Sequence, residues 1–236
     1  MRSRVDEVIE FILAAIESGR FTIDGRLPAE DELAQQAGAS RLTVREAVKI
    51  LAAQRVLNPV HGRGTFVNPI GAWLSIEALV RVNQGSPVDV LLQLVEVRGY
   101  IEIGAAEHFA RVATDEQLAR LRAHLDEMVA AHDATDVPAM VAADLAFHQL
   151  ILDGCDNPFI AATMQPLSRA LVAARRETSA IPQMRDHAIE EHRMVLEALE
   201  RRDPRAARKA MRSHMRQTAD DTRTYFGQAA DKASIA

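Results

Sequence analysis

The sequence predicts a mostly α-helical protein, with an N-terminal winged helix-turn-helix domain followed by an all-α antiparallel helical bundle. Residues 25–67 contain two helix patterns joined by a tight turn, and two short β-prone runs follow them. From about residue 88 onward the apolar residues recur with a helical period, and no strand signal interrupts them. We therefore expect a winged domain over 1–68, a linker over 69–87, a helical domain over 88–228 and a flexible tail over 229–236.

The first two helices of the N-terminal domain are predicted from their apolar faces and their ends. A helix over about Arg4 to Ser18 has one apolar face, and Gly19 ends it. A second helix begins after Pro28, where Glu30 suits the positive end of the helix dipole. Its inward face consists of Leu33, Ala34 and Ala37.

The third helix has the features of a recognition helix. Gly38 permits the sharp turn that precedes it, and Ser40 is placed to cap its first turn. Arg41, Thr43 and Arg45 face outward near its N-terminal end, which is the end that a recognition helix presents to base edges. Its inward face is formed by Val44, Ala47, Val48 and Leu51. We therefore expect this end of the helix, including Ser40, to meet DNA.

A two-stranded wing is predicted directly after this helix. Two β-prone runs, residues 56–60 and 64–67, are separated by His61, Gly62 and Arg63 in a turn rich in glycine. Arg63 at the tip of the wing is placed to reach phosphate or the minor groove. An arginine-rich helix face by itself is often only a solvated surface, but the ordered succession of helix, turn, helix and wing favours DNA reading.

Three segments of this region resemble the winged helix-turn-helix of the GntR family of bacterial transcription regulators. They are residues 27–30 (Leu-Pro-Ala-Glu), 40–47 (Ser-Arg-Leu-Thr-Val-Arg-Glu-Ala) and 62–67 (Gly-Arg-Gly-Thr-Phe-Val). The positions to which the resemblance assigns DNA contacts are Arg41, Thr43, Arg45, His61 and Gly62. Some relatives carry a basic residue where this chain has Asp31, so no DNA contact carries over to that position.

The chain has a formal net charge of −5, which by itself argues weakly against a nucleic-acid partner. Residues 1–68, however, hold nine Lys/Arg and nine Asp/Glu, so the acidic excess lies outside the predicted winged domain. Affinity for DNA must then come from the placement of a few arginines and from the avidity of a dimer.

The sequence shows no signal for export or membrane insertion. Cys155 is the only cysteine, which excludes an intramolecular disulfide and fits a reducing compartment. The N-terminus lacks the apolar core of a signal peptide, and no stretch approaches the roughly 20 apolar residues of a membrane helix. We expect a soluble, cytoplasmic protein with no membrane partner.

Six helices are predicted in the C-terminal domain, and a linker helix over about Trp73 to Val82 precedes them. Proline, glycine and aspartate mark the boundaries between the six. The low aromatic content and abundant alanine suit closely packed helices. The six helices are expected over Val88–Ala110, Asp115–Ala131, Val137–Leu152, Pro158–Ser179, Pro182–Arg201 and from Pro204 to about Gly227.

Four side chains in these helices have the pattern of a metal site. Asp144 and His148 are four residues apart, so they project from one face of a single helix. His192 and His214 stand within the apolar periods of two later helices, where a polar side chain is costly unless it is satisfied. One divalent cation (zinc, nickel, manganese or iron) satisfies three imidazoles and a carboxylate and leaves coordination positions open. The alternative is that each histidine is a hydrogen-bonded core residue.

Residues from about 88 to 226 resemble the FCD effector domain, the all-helical ligand-binding domain of the FadR-like branch of the GntR family. The resemblance rests on Asp144 and His148 in the pattern Asp-x-x-x-His, on His192 and His214 in the later helices, and on residues 197–207 between the last two helices. It implies a divalent metal that helps to hold a small organic acid. Relatives that instead bind acyl-coenzyme A lack a full ligand set, so this chain resembles them less.

Arg98 is predicted to lie on the core-facing side of its helix, where an unpaired guanidinium is expensive. Its bidentate partner is either the carboxylate of an effector or Glu102, four residues further on. The resemblance favours the effector, because the family often uses an arginine at this point to bind a carboxylate. Arg169, Arg175 and Arg176 are candidates for a second anchor.

Together these features predict a one-component transcription regulator that is not an enzyme. A homodimer binds a near-palindromic operator in double-stranded DNA, and a small carboxylate effector bound at the metal acts on the DNA-reading domains through the linker. We expect a repressor that leaves its operator when the effector binds. In one alternative the metal itself is the effector. In the other the metal activates water in a hydrolase, although no glutamate is placed as an obvious general base.

Overall fold

A computed structural model describes residues 3–82 and 86–227. The chain divides into two compact units, Met1–Gln84 and Gly85–Ala236. The first unit combines helices with a two-stranded antiparallel sheet, and the described part of the second is helical throughout. The predicted fold class is therefore confirmed. The tail expected over 229–236 lies outside the described residues.

The three-helix core of the first unit forms as the sequence predicts. Gly38 ends the second helix with a φ of +61°, a conformation that glycine adopts without strain. Ser40 caps the third, because its Oγ accepts a hydrogen bond from the amide of Thr43 at 3.1 Å. The inward face predicted for the third helix is buried. The three helices are α1 (Arg4–Glu17), α2 (Glu30–Ala37) and α3 (Arg41–Ala53).

The wing consists of two short strands, β1 (Leu57–Val60) and β2 (Gly64–Val67). They pair antiparallel, with Leu57 opposite Val67. Gly62 and Gly64 adopt φ angles of +70° and +106°, which explains why the connecting turn is rich in glycine.

Much of the segment that the sequence suggests as a linker packs onto the first unit. A 3₁₀ turn at Ile70–Ala72 leads to Trp73, which is buried and donates a hydrogen bond from its indole to the carbonyl of Asn68 at 2.9 Å. The helix α4 (Ile76–Val82) continues this packing with its apolar face. This stretch belongs to the core because its apolar side chains would be exposed in a free linker. The break predicted over 83–85 lies outside the described residues.

The helices of the second unit begin where the sequence has helix-start residues. Side-chain oxygens of Ser86, Thr114, Asp136, Asn157 and Asp203 each accept a hydrogen bond from the first turn of a helix. The helices are α5 (Pro87–Val112), α6 (Asp115–Asp133), α7 (Val137–Asp153), α8 (Pro158–Met164), α9 (Ser168–Ser179), α10 (Pro182–Glu200) and α11 (Pro204–Thr222).

The helices of this unit pack around one common interior. α5, α10 and α11 pack along one another, α6 pairs with α7 and also meets α10, and α7 contacts both α5 and α9. Phe109, Phe147 and Met211 are among the fully buried side chains of this core. Among the described helices, none is long and apolar enough to cross a membrane.

The segment over 158–179 is not the single helix that the sequence suggests. A 3₁₀ turn at Gln165–Leu167 separates α8 from α9. Pro166 explains the break, because a proline inside a helix lacks the amide donor and clashes with the preceding turn. The last helix, α11, gives way to a π-helical turn at Arg223–Gly227.

Cys155 is a core residue rather than a reactive one. Its thiol donates a hydrogen bond to the carbonyl of Ile151 at 3.2 Å, and burial raises its pKa to about 11. The thiol therefore stays protonated, and weakly nucleophilic, near neutral pH.

Gly154, just after α7, is expected to tolerate no side chain. A Cβ at this position would overlap the ring of the fully buried Phe109 and would lie 3.0 Å from the carbonyl oxygen of Leu150. Gly154→Ala should therefore lower the free energy of unfolding by about 1–3 kcal/mol, as overpacking does. Urea unfolding followed by circular dichroism measures this change.

Gly104→Ala is the matched control, because a Cβ on Gly104 in α5 would have no atom within 4 Å. This variant should keep the stability of the wild-type protein or raise it by up to about 1 kcal/mol, since alanine has the higher helix propensity. Equal stability of the two variants would contradict the packing described at Gly154.

Candidate metal centre and DNA-reading surface

Four buried polar side chains of the second unit meet at one point. Asp144 and His148 lie one turn apart on α7, His192 lies on α10 and His214 lies on α11. Their exposed fractions range from 0% for His192 to 8% for Asp144. The structure thus brings together the four residues that the sequence predicts as metal ligands.

The three imidazoles, which we call the imidazole cluster, present their Nε2 atoms to one another. Nε2 of His148 lies 3.1 Å from Nε2 of His192 and 3.3 Å from Nε2 of His214. Metal–nitrogen bonds of about 2.0–2.1 Å place tetrahedral ligands about 3.3–3.4 Å apart and octahedral neighbours about 2.8–3.0 Å apart. These two separations lie within this span, and the candidate ligand nitrogens of all three rings lie within 4.8 Å of one another, so the cluster suits a divalent ion.

Oxygen atoms on the outer side of two rings make their Nε2 atoms acceptors. Nδ1 of His192 donates to the carbonyl oxygen of Ala188 at 2.6 Å, and Nδ1 of His148 lies 2.5 Å from Oε2 of Glu102. Because a carbonyl and a carboxylate only accept, Nδ1 carries the proton and Nε2 keeps its lone pair. Nδ1 of His214 is buried without a hydrogen-bond partner among the described residues. Lone pairs that face one another repel, so the cluster suits a cation.

Burial favours the neutral form of all three rings. It lowers the pKa of each, and for His192 and His214 the neighbouring rings lower the pKa further, to well below its ordinary range. For His148 the carboxylate of Glu102 opposes part of the effect of burial. Neutral imidazole is the form that binds a metal ion.

The carboxylate of Asp144 is shared between the imidazole cluster and Arg175. Its Oδ1 lies 3.3 Å from Nε2 of His192 and 3.9 Å from Nε2 of His148. Its Oδ2 contacts Nε of Arg175, which is itself buried. Asp144 is therefore placed to add a fourth ligand, but in this structure it is paired with a guanidinium.

Arg98 pairs with Glu102 and also reaches the imidazole cluster. Its Nε lies 2.7 Å from Oε1 of Glu102, and its Nη2 lies 3.1 Å from Nε2 of His148. Burial alone would raise the pKa of Glu102, but Arg98 and His148 outweigh burial and hold this pKa well below its ordinary range. The ion pair predicted four residues along the helix is present, and Arg98 still faces the cluster.

A cavity of about 60 Å³ adjoins this site. Such a volume holds a few water molecules before any side chain moves. Apolar side chains of α5, α7 and α9 form part of its wall. The polar residues that line it include Arg98, Asp144, Arg175, His214, Gln217, Thr218 and Asp221.

The contact between Asp144 and Arg175 is the main feature of the site that the sequence does not predict. Of the three arginines suggested as a second anchor, Arg175 is buried, whereas Arg169 and Arg176 are exposed. The burial of Arg175 could have been predicted, because Arg175 lies four residues after the buried Leu171 and so shares its face of α9. Its pairing with Asp144 could not.

Two arginines that are predicted to read DNA form ion pairs within the first unit. Arg41 is paired with Asp31 at 2.5 Å, and Arg45 is paired with Glu30 at 2.6 Å. All four side chains are largely exposed. Exposed pairs of this kind contribute little to stability, so the guanidiniums can exchange these partners for DNA.

The other predicted DNA contacts lie at the start of α3 and at the wing tip. Ser40 and Thr43 share a hydrogen bond of 2.8 Å between their hydroxyl groups. His61, Gly62 and Arg63 form the exposed turn between β1 and β2, and the guanidinium of Arg63 stands over an aromatic ring of β2. These side chains are on the surface, where DNA can reach them.

Models of two protein families match the chain. The family described as bacterial regulatory proteins, gntR family, matches residues 4–67, which contain α1 to α3 and the wing. The FCD domain matches residues 93–217, which contain the imidazole cluster.

Two known transcriptional repressors are similar in sequence to this chain over most of their length. The galactonate operon transcriptional repressor of Escherichia coli is 30% identical over 217 residues, which cover 88% of this chain and 92% of that protein. The HTH-type transcriptional repressor NanR of Klebsiella aerogenes is 27% identical over 221 residues, which cover 91% of this chain and 84% of that protein.

A solved structure shows the same fold. Lar, which controls the expression of the Listeria monocytogenes agr system, matches with a TM-score of 0.70 at 19% identity, over 95% of this chain and 99% of the Lar chain. Because an FCD domain spans more than half of the chain and follows a gntR-type domain, this protein belongs to the GntR family and is a DNA-binding transcriptional regulator rather than an enzyme.

Proposed function

We propose that this regulator is a cytoplasmic repressor that leaves its operator when a small organic acid binds at a divalent metal in the bundle. The observation that carries the proposal is the imidazole cluster, which lies with Asp144 and Arg98 beside a cavity that has both apolar and polar side chains in its wall. Three neutral imidazoles, two of which direct an Nε2 lone pair at the other, are unfavourable in a helical core unless a cation binds them.

On the DNA side, a homodimer would place two copies of α3 in successive major grooves of a near-palindromic operator. Leu42, exposed by 70% at the start of α3, would add an apolar contact such as that with a thymine methyl group. The proposed contacts are Ser40, Arg41, Thr43 and Arg45 of α3 and His61, Gly62 and Arg63 of the wing.

In the bundle, the three Nε2 atoms and Asp144 would hold a divalent ion such as zinc, nickel or manganese. When bound, the ion supplies a positive charge and open positions for a carboxylate. Arg98 lines the same cavity, so its guanidinium is placed to bind that carboxylate as well. Glu102 would hold Arg98 and His148 in orientation through the hydrogen bond with Arg98 and the close contact with Nδ1 of His148.

A hydroxylated carboxylate is the effector class that we favour. The relative named for the galactonate operon points to sugar acids, which carry one carboxylate and several hydroxyl groups. Gln217, Thr218 and Asp221 line the cavity and offer hydrogen-bond partners for hydroxyl groups.

Arg45→Ala should weaken binding to an operator selected from random DNA by about 10–100-fold, because it removes a contact to base edges, and should relax base preference. Arg63→Ala should weaken binding evenly across sequences and reduce the salt dependence by about one phosphate contact. Fluorescence anisotropy over a range of salt concentrations measures both effects.

Arg122→Ala is the control for these DNA measurements. It removes an equal charge from an exposed side chain of α6, in the second unit, and should bind the operator like the wild-type protein. If Arg45→Ala and Arg63→Ala also bind like the wild type, the assigned DNA-reading surface is wrong.

A hydroxylated carboxylate should raise the thermal unfolding midpoint of the metal-loaded protein. A ligand at about 100 times its dissociation constant stabilises the folded state by about 2.7 kcal/mol, which shifts the midpoint by a few degrees. His192→Ala should abolish the shift, because it removes one of the proposed metal ligands. His124→Ala should respond like the wild type, since His124 pairs with Glu127 on α6 and lies outside the cluster and the cavity.

The acid that stabilises the protein should also release it from the operator. Release by metal alone, with no organic acid present, would support the alternative in which the metal is the effector. If neither metal nor any carboxylate stabilises the wild-type protein, the proposed effector site is refuted.

A further inference from the structure

Two buried arginines contact two of the four proposed metal ligands. Nη2 of Arg98 lies 3.1 Å from Nε2 of His148, and Nε of Arg175 contacts Oδ2 of Asp144. Both guanidiniums are more than nine-tenths buried. A lone pair that accepts a hydrogen bond from a guanidinium is not free to bind a metal ion, so these contacts compete with metal binding.

The charges of the site balance without a metal ion. The buried guanidiniums of Arg98 and Arg175 lie against the buried carboxylates of Glu102 and Asp144, so two cationic groups are matched by two anionic groups. A divalent ion would leave two uncompensated positive charges in a buried space, which is costly. Metal binding therefore favours either the movement of a guanidinium or the arrival of an anion.

The two arginines differ in whether they keep an ion-pair partner when they turn away from the proposed metal ligands. Arg98 keeps Glu102 as a partner at 2.7 Å if it turns away from His148. The partner of Arg175 is Asp144, which is itself a proposed metal ligand. A metal ion that binds both oxygens of Asp144 therefore has to displace Arg175, because Oδ2 is the oxygen that contacts this guanidinium.

A second cavity gives Arg175 a place to turn. This outer cavity, of about 510 Å³, is lined by residues of α7, α8 and α9 and includes His148 and Glu102 in its wall. Arg175 and Leu171 line both this cavity and the smaller one beside Asp144. The guanidinium thus lies between the two spaces, and the outer one is large enough for a small organic acid.

We propose that Arg175 is a resident counter-cation of Asp144 which the metal ion displaces, and that the displaced guanidinium then binds the carboxylate of the effector. The inference rests on the proposed function and adds the order of events to it. Metal and anion binding are then coupled: each removes a charge imbalance that the other creates. Without metal, Arg175 stays on Asp144 and the anion site is incomplete.

The test compares the zinc affinity of purified full-length protein and its variants by competition with a coloured chelator. Arg175→Met should bind Zn²⁺ about tenfold or more tightly than the wild type in the absence of any carboxylate, because the competing cation is gone and Asp144 is left unpaired. Acetate, used as a minimal carboxylate in place of chloride, should tighten Zn²⁺ binding to the wild type more than to Arg175→Met, which keeps only the metal and Arg98 as carboxylate partners.

Two further variants complete the test. Arg175→Lys keeps the charge but has a single donor group, so it should show an intermediate zinc affinity, and it covers the case in which Arg175→Met does not fold. Arg176→Ala removes the charge of the exposed neighbour and should bind Zn²⁺ like the wild type.

The outcomes separate this inference from the function on which it rests. If the wild type binds Zn²⁺ and both Arg175 variants bind it equally or more weakly, Arg175 does not compete with the metal and the inference is refuted, while the metal site stands. If the wild type and all variants bind neither Zn²⁺, Ni²⁺ nor Mn²⁺, the metal site of the proposed function fails, and the inference fails with it.

Discussion

The bundle buries two arginines, two carboxylates and three imidazoles in one interior, and each of these groups must find its partner there because water is largely excluded. The pairs that result also join helices. Glu102 of α5 holds His148 of α7, and Asp144 of α7 contacts Arg175 of α9. The same contacts therefore supply partners for the buried polar groups and hold the helices of this domain in place.

This constraint explains how a small ligand can move large elements. In the proposed function, an ion or an anion that entered the interior would change the partners of side chains on several helices at once, so the helices would adjust together. The proposed DNA-reading surface differs from this interior, because its charged side chains are exposed to water. Arg41 and Arg45 pair with carboxylates in contact with solvent, where exchanging one partner for another costs little.

Local signals in the sequence were sufficient for much of this architecture. Gly38 and Ser40 end one helix and start the next because of their own conformational and capping preferences, and the spacing of Asp144 and His148 places both on one helix face. The pairing of Asp144 with Arg175 depends instead on how α9 packs against α7, and no local pattern specifies that packing.

X-ray absorption spectroscopy at the metal edge is the decisive measurement for the imidazole cluster, because it reports the ligands of a bound ion. We expect one ion per chain, with three imidazole nitrogens at about 2.0–2.1 Å and oxygen completing the shell. Loss of at least one imidazole from the shell should follow His192→Ala and not His124→Ala. A shell of oxygen atoms alone, or a spectrum unchanged by His192→Ala, would show that the cluster does not bind the metal.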